Sequence, residues 1–308
     1  MVQVGLVVNP SKRRWREAVA LVGSACVQRG WPAPEVLETT VEETGATQAA
    51  ALAKGGAARV VVAGGDGTVR AVAHGLTPLR GASGAPQGAG GVAMGVVPLG
   101  TANLFAHNLV IPTRDPAAAV RLALDGTARP VDLGLARLGD DEADHPFLVL
   151  VGIGHDAATV AATRDDLKHR IGWPAYVLPA ARHALHRPVP VELTLDDAPP
   201  RTLRAWSILA ANCGRVRAGV RIAAGAQVDD GLLDVMEVTV SRPLQWLPIA
   251  AKGVLGLRGD VPALRTTPAR SLAVLSPEPQ HVQLDGDILG RVTRVRAHVV
   301  HHAIDVVC

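Results

Sequence analysis

Apolar residues in the first part of the chain fall into short unbroken runs, separated by stretches with helical spacing. Val2 to Val8 is one such run and stops at Asn9-Pro10. Arg13 to Arg29 sets Trp15, Val19, Val22 and Cys26 on one helical face, with Gly30 as the C-cap. Glu35 to Thr40 predicts a second strand, and a helix follows near Thr47 to Lys54. Arg59 to Ala63 predicts a third strand running into Gly64-Gly65-Asp66-Gly67-Thr68, after which Val69 to Leu76 is helix-like. Thr77 to Gly91 is rich in Gly, Pro, Ala and Ser and predicts a mobile loop. Val92 to Val97 predicts a fourth strand, ending at Pro98-Leu99-Gly100-Thr101, and Pro116 to Leu124 a helix closed by Gly126. Continuous apolar strands that alternate with helices predict a Rossmann-like parallel sheet covered on both faces.

Beyond Pro130 the texture changes. Val131 to Leu138, Phe147 to Ile153, Val189 to Leu195, Leu203 to Ala211, Asp234 to Val240, Ser271 to Leu275, His281 to Leu284 and Arg291 to His298 all read as strands. Only Asp165 to His186 and Leu244 to Leu257 look helical. Strands that follow one another without helices predict an antiparallel β-sandwich. The expectation is an α/β nucleotide-binding domain over 1–129 and a β-rich domain over 130–308. The tail, His302 to Val307, forms one more strand, which can return to the first domain.

Composition narrows the function classes. The chain has 308 residues, of which 48% are hydrophobic and 19% charged, so large cores are available and global disorder is excluded. Aromatics are only 3%, which argues against base-stacking platforms and hence against a nucleic-acid partner. A net charge of +3 suits an anionic ligand or an anionic membrane surface without selecting either. Cys26, Cys213 and Cys308 have neither zinc spacing nor a disulfide pattern, which points to a reducing compartment. No apolar run approaches the ~18 residues of a spanning helix, and no signal-type core opens the chain. The expected location is cytoplasmic and peripheral to the membrane.

The chemistry concentrates at strand ends. A buried strand, a glycine turn and a helix start let backbone N–H groups close on phosphate, because glycine has no Cβ to block the approach. Asp66 is the odd member of that turn. Its carboxylate repels phosphate unless it holds a metal, orients a nucleotide hydroxyl or takes a proton. Gly100-Thr101-Ala102-Asn103 is a second glycine turn, and Asn9-Pro10-Ser11 closes the first strand. Each is explained equally well by plain capping. In a parallel sheet, however, all three converge at the carboxyl edge, where open α/β sheets bind ligands. Asp285-Gly286-Asp287 reads as a two-residue hairpin. Asp229-Asp230-Gly231-Leu232 reads either as a turn or as a hard-cation site. Asp165 to Arg187 carries Lys168, Arg170, Arg182 and Arg187 among apolar residues, which reads either as a solvated helix face or as a surface for anionic membrane. Leu244 to Ile249 reads as core packing, with membrane docking as its second reading.

Gly-Gly-Asp-Gly-Thr after an apolar strand, Pro-Leu-Gly-Thr-x-Asn and the opening Val-Val-Asn-Pro together resemble the diacylglycerol kinase catalytic family, which includes bacterial lipid kinases and sphingosine and ceramide kinases. The likeness continues through Val131-Asp132-Leu133-Gly134, Gly152-Ile153-Gly154-His155-Asp156, Asp229 to Val235 and Leu284 to Asp287. The resemblance implies ATP and Mg2+ in a cleft between the two domains, and a lipid acceptor. It implies ATP contacts from Asn9, Thr40, Gly64, Gly65, Asp66, Gly67, Thr68, Val69, Arg70, Gly100, Thr101 and Asn103. It implies that Asp66 lies beside the transferred phosphoryl group and its magnesium, and that Asp287 acts as general base. It also implies a structural magnesium on Asp230 and the backbone oxygens of Gln227 and Leu232. A homodimer is compatible with the sequence.

The chain departs from the family pattern at three places. Val69-Arg70-Ala71 replaces a common Asn-Glu continuation, Leu104 replaces an acidic residue, and Lys12-Arg13-Arg14 replaces small residues. An NAD kinase-type soluble kinase and a catalytically silent lipid- or nucleotide-binding module remain as alternatives to a lipid kinase.

Overall fold

In the computed structural model, residues 2–77, 79–80, 86–87, 92–157, 186–214, 223, 225–255 and 260–308 are described. They fall into two units, 1–133 with 302–308, and 134–301.

The first unit is built on parallel strands β1 (Val4–Val8), β2 (Glu35–Glu38), β3 (Arg59–Gly64) and β6 (Ala93–Pro98). β1 pairs with β2 and β3, and β3 pairs with β6, all parallel. Every residue of β1 and β6 is buried, as expected of strands covered on both faces. β2 is the edge strand and is mostly exposed, and it stops two residues short of the predicted Thr40. Helices α1 (Trp15–Gln28) and α5 (Pro116–Asp125) pack together and against the sheet, as do α2 (Ala46–Lys54) and α3 (Asp66–Leu76). Asp115 caps α5 by accepting from the N–H of Ala118, and Pro116 fills the first helical position. A five-residue helix α4 (Leu104–Asn108), not expected from the sequence, follows the second glycine turn. Of the predicted mobile loop, residues 78, 81–85 and 88–91 lie outside the described residues. Within it, β4 (Leu79–Arg80) pairs antiparallel with β5 (Pro86–Gln87).

The second unit is an antiparallel β-sandwich. Its strands are the later part of β7 (Ala128–Leu138), β8 (His145–Phe147), β9 (Leu150–Gly154), β10 (Val189–Leu195), β11 (Arg201–Ala205), β12 (Ser207–Ala211), β13 (Leu233–Val238), β14 (Leu264–Ala269), β15 (Ser271–Leu284) and most of β16 (Asp287–Val307). The strand order β14-β13-β12-β9-β15-β16 is antiparallel throughout, with β10 added on β15 and β11 on β10. Phe147, Leu193, Ile208, Leu233, Val274 and Leu284 are among the residues that fill the core. The predicted Phe147–Ile153 strand is two strands, and so is Leu203–Ala211, where Trp206 interrupts the run. Ser271–Leu275 and His281–Leu284 are instead one strand, whose register shifts between Leu275 and Gln280. A 3₁₀ turn (Pro243–Gln245) leads into helix α6 (Trp246–Leu255). Leu244 and Leu247 are 77% and 65% exposed, so this segment is not buried core packing as expected. The predicted basic helix, with Lys168, Arg170 and Arg182, lies outside the described residues except for His186 and Arg187.

The last part of β16 belongs to the first unit, where Asp305 and Val306 pair parallel with Ala93 and Met94. All three cysteines are free thiols, and burial raises the pKa of Cys26 above the ordinary thiol range. Among the described residues, no helix is long and apolar enough to cross a membrane.

Candidate active site

In the first unit, the carboxyl ends of β1, β3 and β6 meet. Asn9, directly after β1, donates from Nδ2 to Thr68 Oγ1 at 3.0 Å. Its Oδ1 accepts from the N–H and hydroxyl of Ser11 at 3.0 and 2.7 Å. These bonds tie the end of β1 to the first turn of α3. Gly64 is required by close approach, because a Cβ there would stand 2.6 Å from Thr68 Cβ. Gly100 is required likewise, since its Cβ would come within 2.8 Å of both Gly65 Cα and Asn103 Oδ1. The two glycine turns therefore touch backbone to backbone. Asn103 holds the second turn: Oδ1 accepts from Gly100 N–H and Nδ2 donates to Gly100 O, each at 2.9 Å. It does so from a left-handed conformation, φ 47°, which asparagine tolerates better than most residues.

Asp66 occupies the first turn of α3 and accepts from the N–H of Phe105 in α4 at 3.4 Å. Its carboxylate thus spans the two turns. The first intrahelical bond of α3 runs from Val69 N–H to Gly65 O. The N–H groups of Asp66, Gly67 and Thr68 have no carbonyl ahead of them in the helix, which is the arrangement that receives phosphate oxygens. Lys12 adds a cation: its Cε and Nζ lie 3.4 and 3.7 Å from where a Cβ on Gly65 would stand. The sequence placed Lys12 next to the opening motif but gave no sign that it folds over the other turn. Val69 sits one residue further along α3. Its side chain is buried in the core and its N–H is bonded within the helix. Thr40 and Thr101 are exposed at the ends of β2 and β6, and Thr40 Oγ1 accepts from Glu43 N–H in a local turn. Arg70 is half-buried one turn into α3.

In the second unit, Asp285-Gly286 forms the hairpin between β15 and β16. Both residues have positive φ, 51° and 91°, and Leu284 pairs with Asp287 across it. Asp285 is buried, and its carboxylate accepts from the N–H groups of Leu148, Val149 and Leu150 at 2.8–2.9 Å. That cluster of donors, absent from any sequence pattern, splits the expected Phe147–Ile153 strand. Asp287, the next acidic residue, is exposed at the start of β16. Gln283 Oε1 accepts from Gly286 N–H at 2.8 Å, and its Nε2 donates to Asp156 Oδ2 at 3.3 Å. Asp156 Oδ1 is buried without a partner. Burial raises the pKa of this carboxyl, opposed by the neighbouring Ser207 and Gln283 side chains. Asp230 accepts from Leu232 N–H at 3.0 Å within its turn, and Gly231 takes φ 72°. Burial and then the charge of Asp230 raise the pKa of Asp234.

Residues 3–136 match the family model for the diacylglycerol kinase catalytic domain, and residues 149–308 match the YegS C-terminal NAD kinase beta sandwich-like domain. The chain belongs to the diacylglycerol kinase catalytic family. It is 35% identical over 252 residues to a protein of Pseudomonas aeruginosa named "Probable lipid kinase YegS-like", covering 78% of this chain and 73% of that one. It is 29% identical to the "Diacylglycerol kinase" of Mycobacterium tuberculosis, covering 84% and 79%. It spans about half the length of two other curated relatives, 50% of an uncharacterized Synechocystis protein and 54% of a "Probable lipid kinase YegS-like" of Chromohalobacter salexigens. A crystal structure titled as a diacylglycerol kinase from Bacillus anthracis shares the fold, with TM-score 0.71, 20% identity, and coverage of 99% and 96%.

Proposed function

We propose that the protein is an ATP-dependent lipid kinase that transfers the γ-phosphoryl group to the free hydroxyl of a diacylglycerol-like lipid. The observation that carries the reading is the contact of the two glycine turns beneath the Asp66 carboxylate. ATP phosphates lie against the first-turn amides of α3 and the Gly100-Thr101 turn, and the ammonium of Lys12 offsets their charge. Asn9 and Asn103 act by holding those turns, and Thr40 and Arg70 flank them. Magnesium supplies neutralisation of phosphate charge, and Asp66 is the carboxylate that would hold it. Asp230, with the carbonyls of Gln227 and Leu232, would hold a second, structural ion.

Asp287 accepts the proton as the lipid oxygen bonds to the γ-phosphorus. The bond from that phosphorus to the bridging oxygen breaks, and ADP leaves with its electron pair. Phosphoryl transfer is mainly positioning and charge stabilisation, so these few groups suffice for it.

ADP release measured across a panel of diacylglycerols, sphingoid bases and ceramides, followed by product identification, tests the reading. Turnover with a diacylglycerol is the expected result. Absence of turnover with every lipid, by folded protein that binds ATP, would falsify it. Asp287→Asn is expected to lower kcat about 10²–10⁴-fold, the range for loss of a general base. An unchanged kcat removes Asp287 from the chemistry.

A further inference from the structure

The segment from the 3₁₀ turn into α6 presents two leucines to solvent. Leu244 and Leu247 are one helical turn apart and largely exposed. Gln245 Oε1 accepts from the N–H groups of Ser241 and Arg242 at 2.8 and 3.0 Å and fixes the start of the turn. Trp246, between the leucines, packs edge-on against Trp206 of the sandwich, with ring centroids 4.7 Å apart. Trp206 in turn lies against His155, at 5.7 Å. The anchor therefore faces the sandwich while its neighbours face out. From residue 238 to 259 the chain carries Arg242, Lys252 and Arg258 and no carboxylate. Arg242 is exposed directly beside Leu244, whereas Lys252 is buried.

We propose that this face, Leu244 and Leu247 with Arg242, docks on an anionic lipid bilayer. Exposed apolar side chains beside an exposed guanidinium, in a segment with no acidic group, have the character of an interfacial surface. The two leucines enter the acyl boundary, and the guanidinium pairs with lipid phosphates. The assignment rests on the lipid kinase reading only for its purpose, which is to bring the site to an acceptor that lives in a membrane.

The test is flotation of the full-length chain with vesicles of phosphatidylglycerol and phosphatidylcholine, without ATP or acceptor lipid. Wild type is expected to float. Leu244→Glu/Leu247→Glu is expected to partition at least ~30-fold less, since each buried leucine contributes roughly tenfold. Val41→Glu, at a 90% exposed position of the first unit, is expected to float like wild type. Melting midpoints equal to wild type establish that the variants fold. Equal flotation of the double variant and wild type, or no flotation of wild type, overturns the proposal. So does a dimer in wild type that the double variant splits while flotation is unchanged, because the face then binds a second copy.

Turnover separates this proposal from the kinase reading. On a water-dispersed short-chain diacylglycerol the double variant is expected to keep its kcat, while on vesicles its apparent KM rises. No turnover in either format, with flotation still lost in the variant, sinks the kinase reading and supports the surface.

Discussion

The ammonium of Lys12 stands over the Gly65 turn at a position where the family pattern has a small residue. A charge-assisted hydrogen bond contributes about 1.5–3 kcal/mol, and partial exposure favours the low end. Lys12→Met is therefore expected to raise the KM for ATP about tenfold, with a smaller change in kcat. Lys12→Arg should recover most of the loss. Steady-state kinetics with varied ATP at saturating lipid read both.

Asp156 carries the opposite kind of charge problem. Burial raises its folded pKa above the unfolded value, so the unfolded chain ionises first as pH rises. Below the unfolded pKa, about 3.9, the carboxyl is protonated in both states and no penalty exists. Above it, stability falls until the folded pKa is passed. Asp156→Asn removes that dependence. The melting temperature of wild type should fall relative to the variant between acid and neutral pH, and parallel pH profiles would refute this. The Gly64 to Thr68 turn was legible because one short window holds strand, turn and helix start. Lys12 and Asp156 were legible only as residue types, since their partners, Gly65 and Gln283, lie far along the chain.

At the scale of elements, the hairpin at Asp285-Gly286 was readable from its two residues, but its anchoring was not. Three backbone donors from Leu148 to Leu150 converge on one carboxylate through tertiary register. Asp285→Ala leaves those buried donors unpaired and is expected to cost at least ~3 kcal/mol, with the hairpin that presents Asp287 loosened as well. Urea unfolding followed in the second unit measures it, and a change below ~1 kcal/mol would show that water replaces the carboxylate. Prolines mask strands in two places. Pro277 and Pro279 lie in the register shift of β15, where the ladder is already interrupted, so the strand resumes after them. Pro268 lies on β14, an edge strand that needs fewer donors, so the segment forms a strand that its sequence does not signal. From the 3₁₀ turn into α6, apolar residues suggested a buried core, but Leu244 and Leu247 are exposed while Trp246 packs on Trp206.

For the molecule as a whole, alternation of strand and helix against strand after strand was enough to expect two domains of different class. The family models match residues 3–136 and 149–308. What the pattern left open was the destination of the tail, because a short apolar run fits either sheet. The structure gives it to the first unit: Val306 and Val307 are 0% and 1% exposed there, and Cys308 N–H bonds to Thr127 O.

That destination has a consequence for the order in which the protein becomes itself. A ribosome finishes residues 1–133 long before it reaches 302–308. Roughly 170 residues intervene, which at about 5–20 residues per second means about 10–30 s of waiting. Throughout that interval β6 has an open flank, and an unpaired strand flank is a template for aggregation. The parallel-sheet unit is thus born early and sealed late, and its maturation is timed by the synthesis of the β-rich unit.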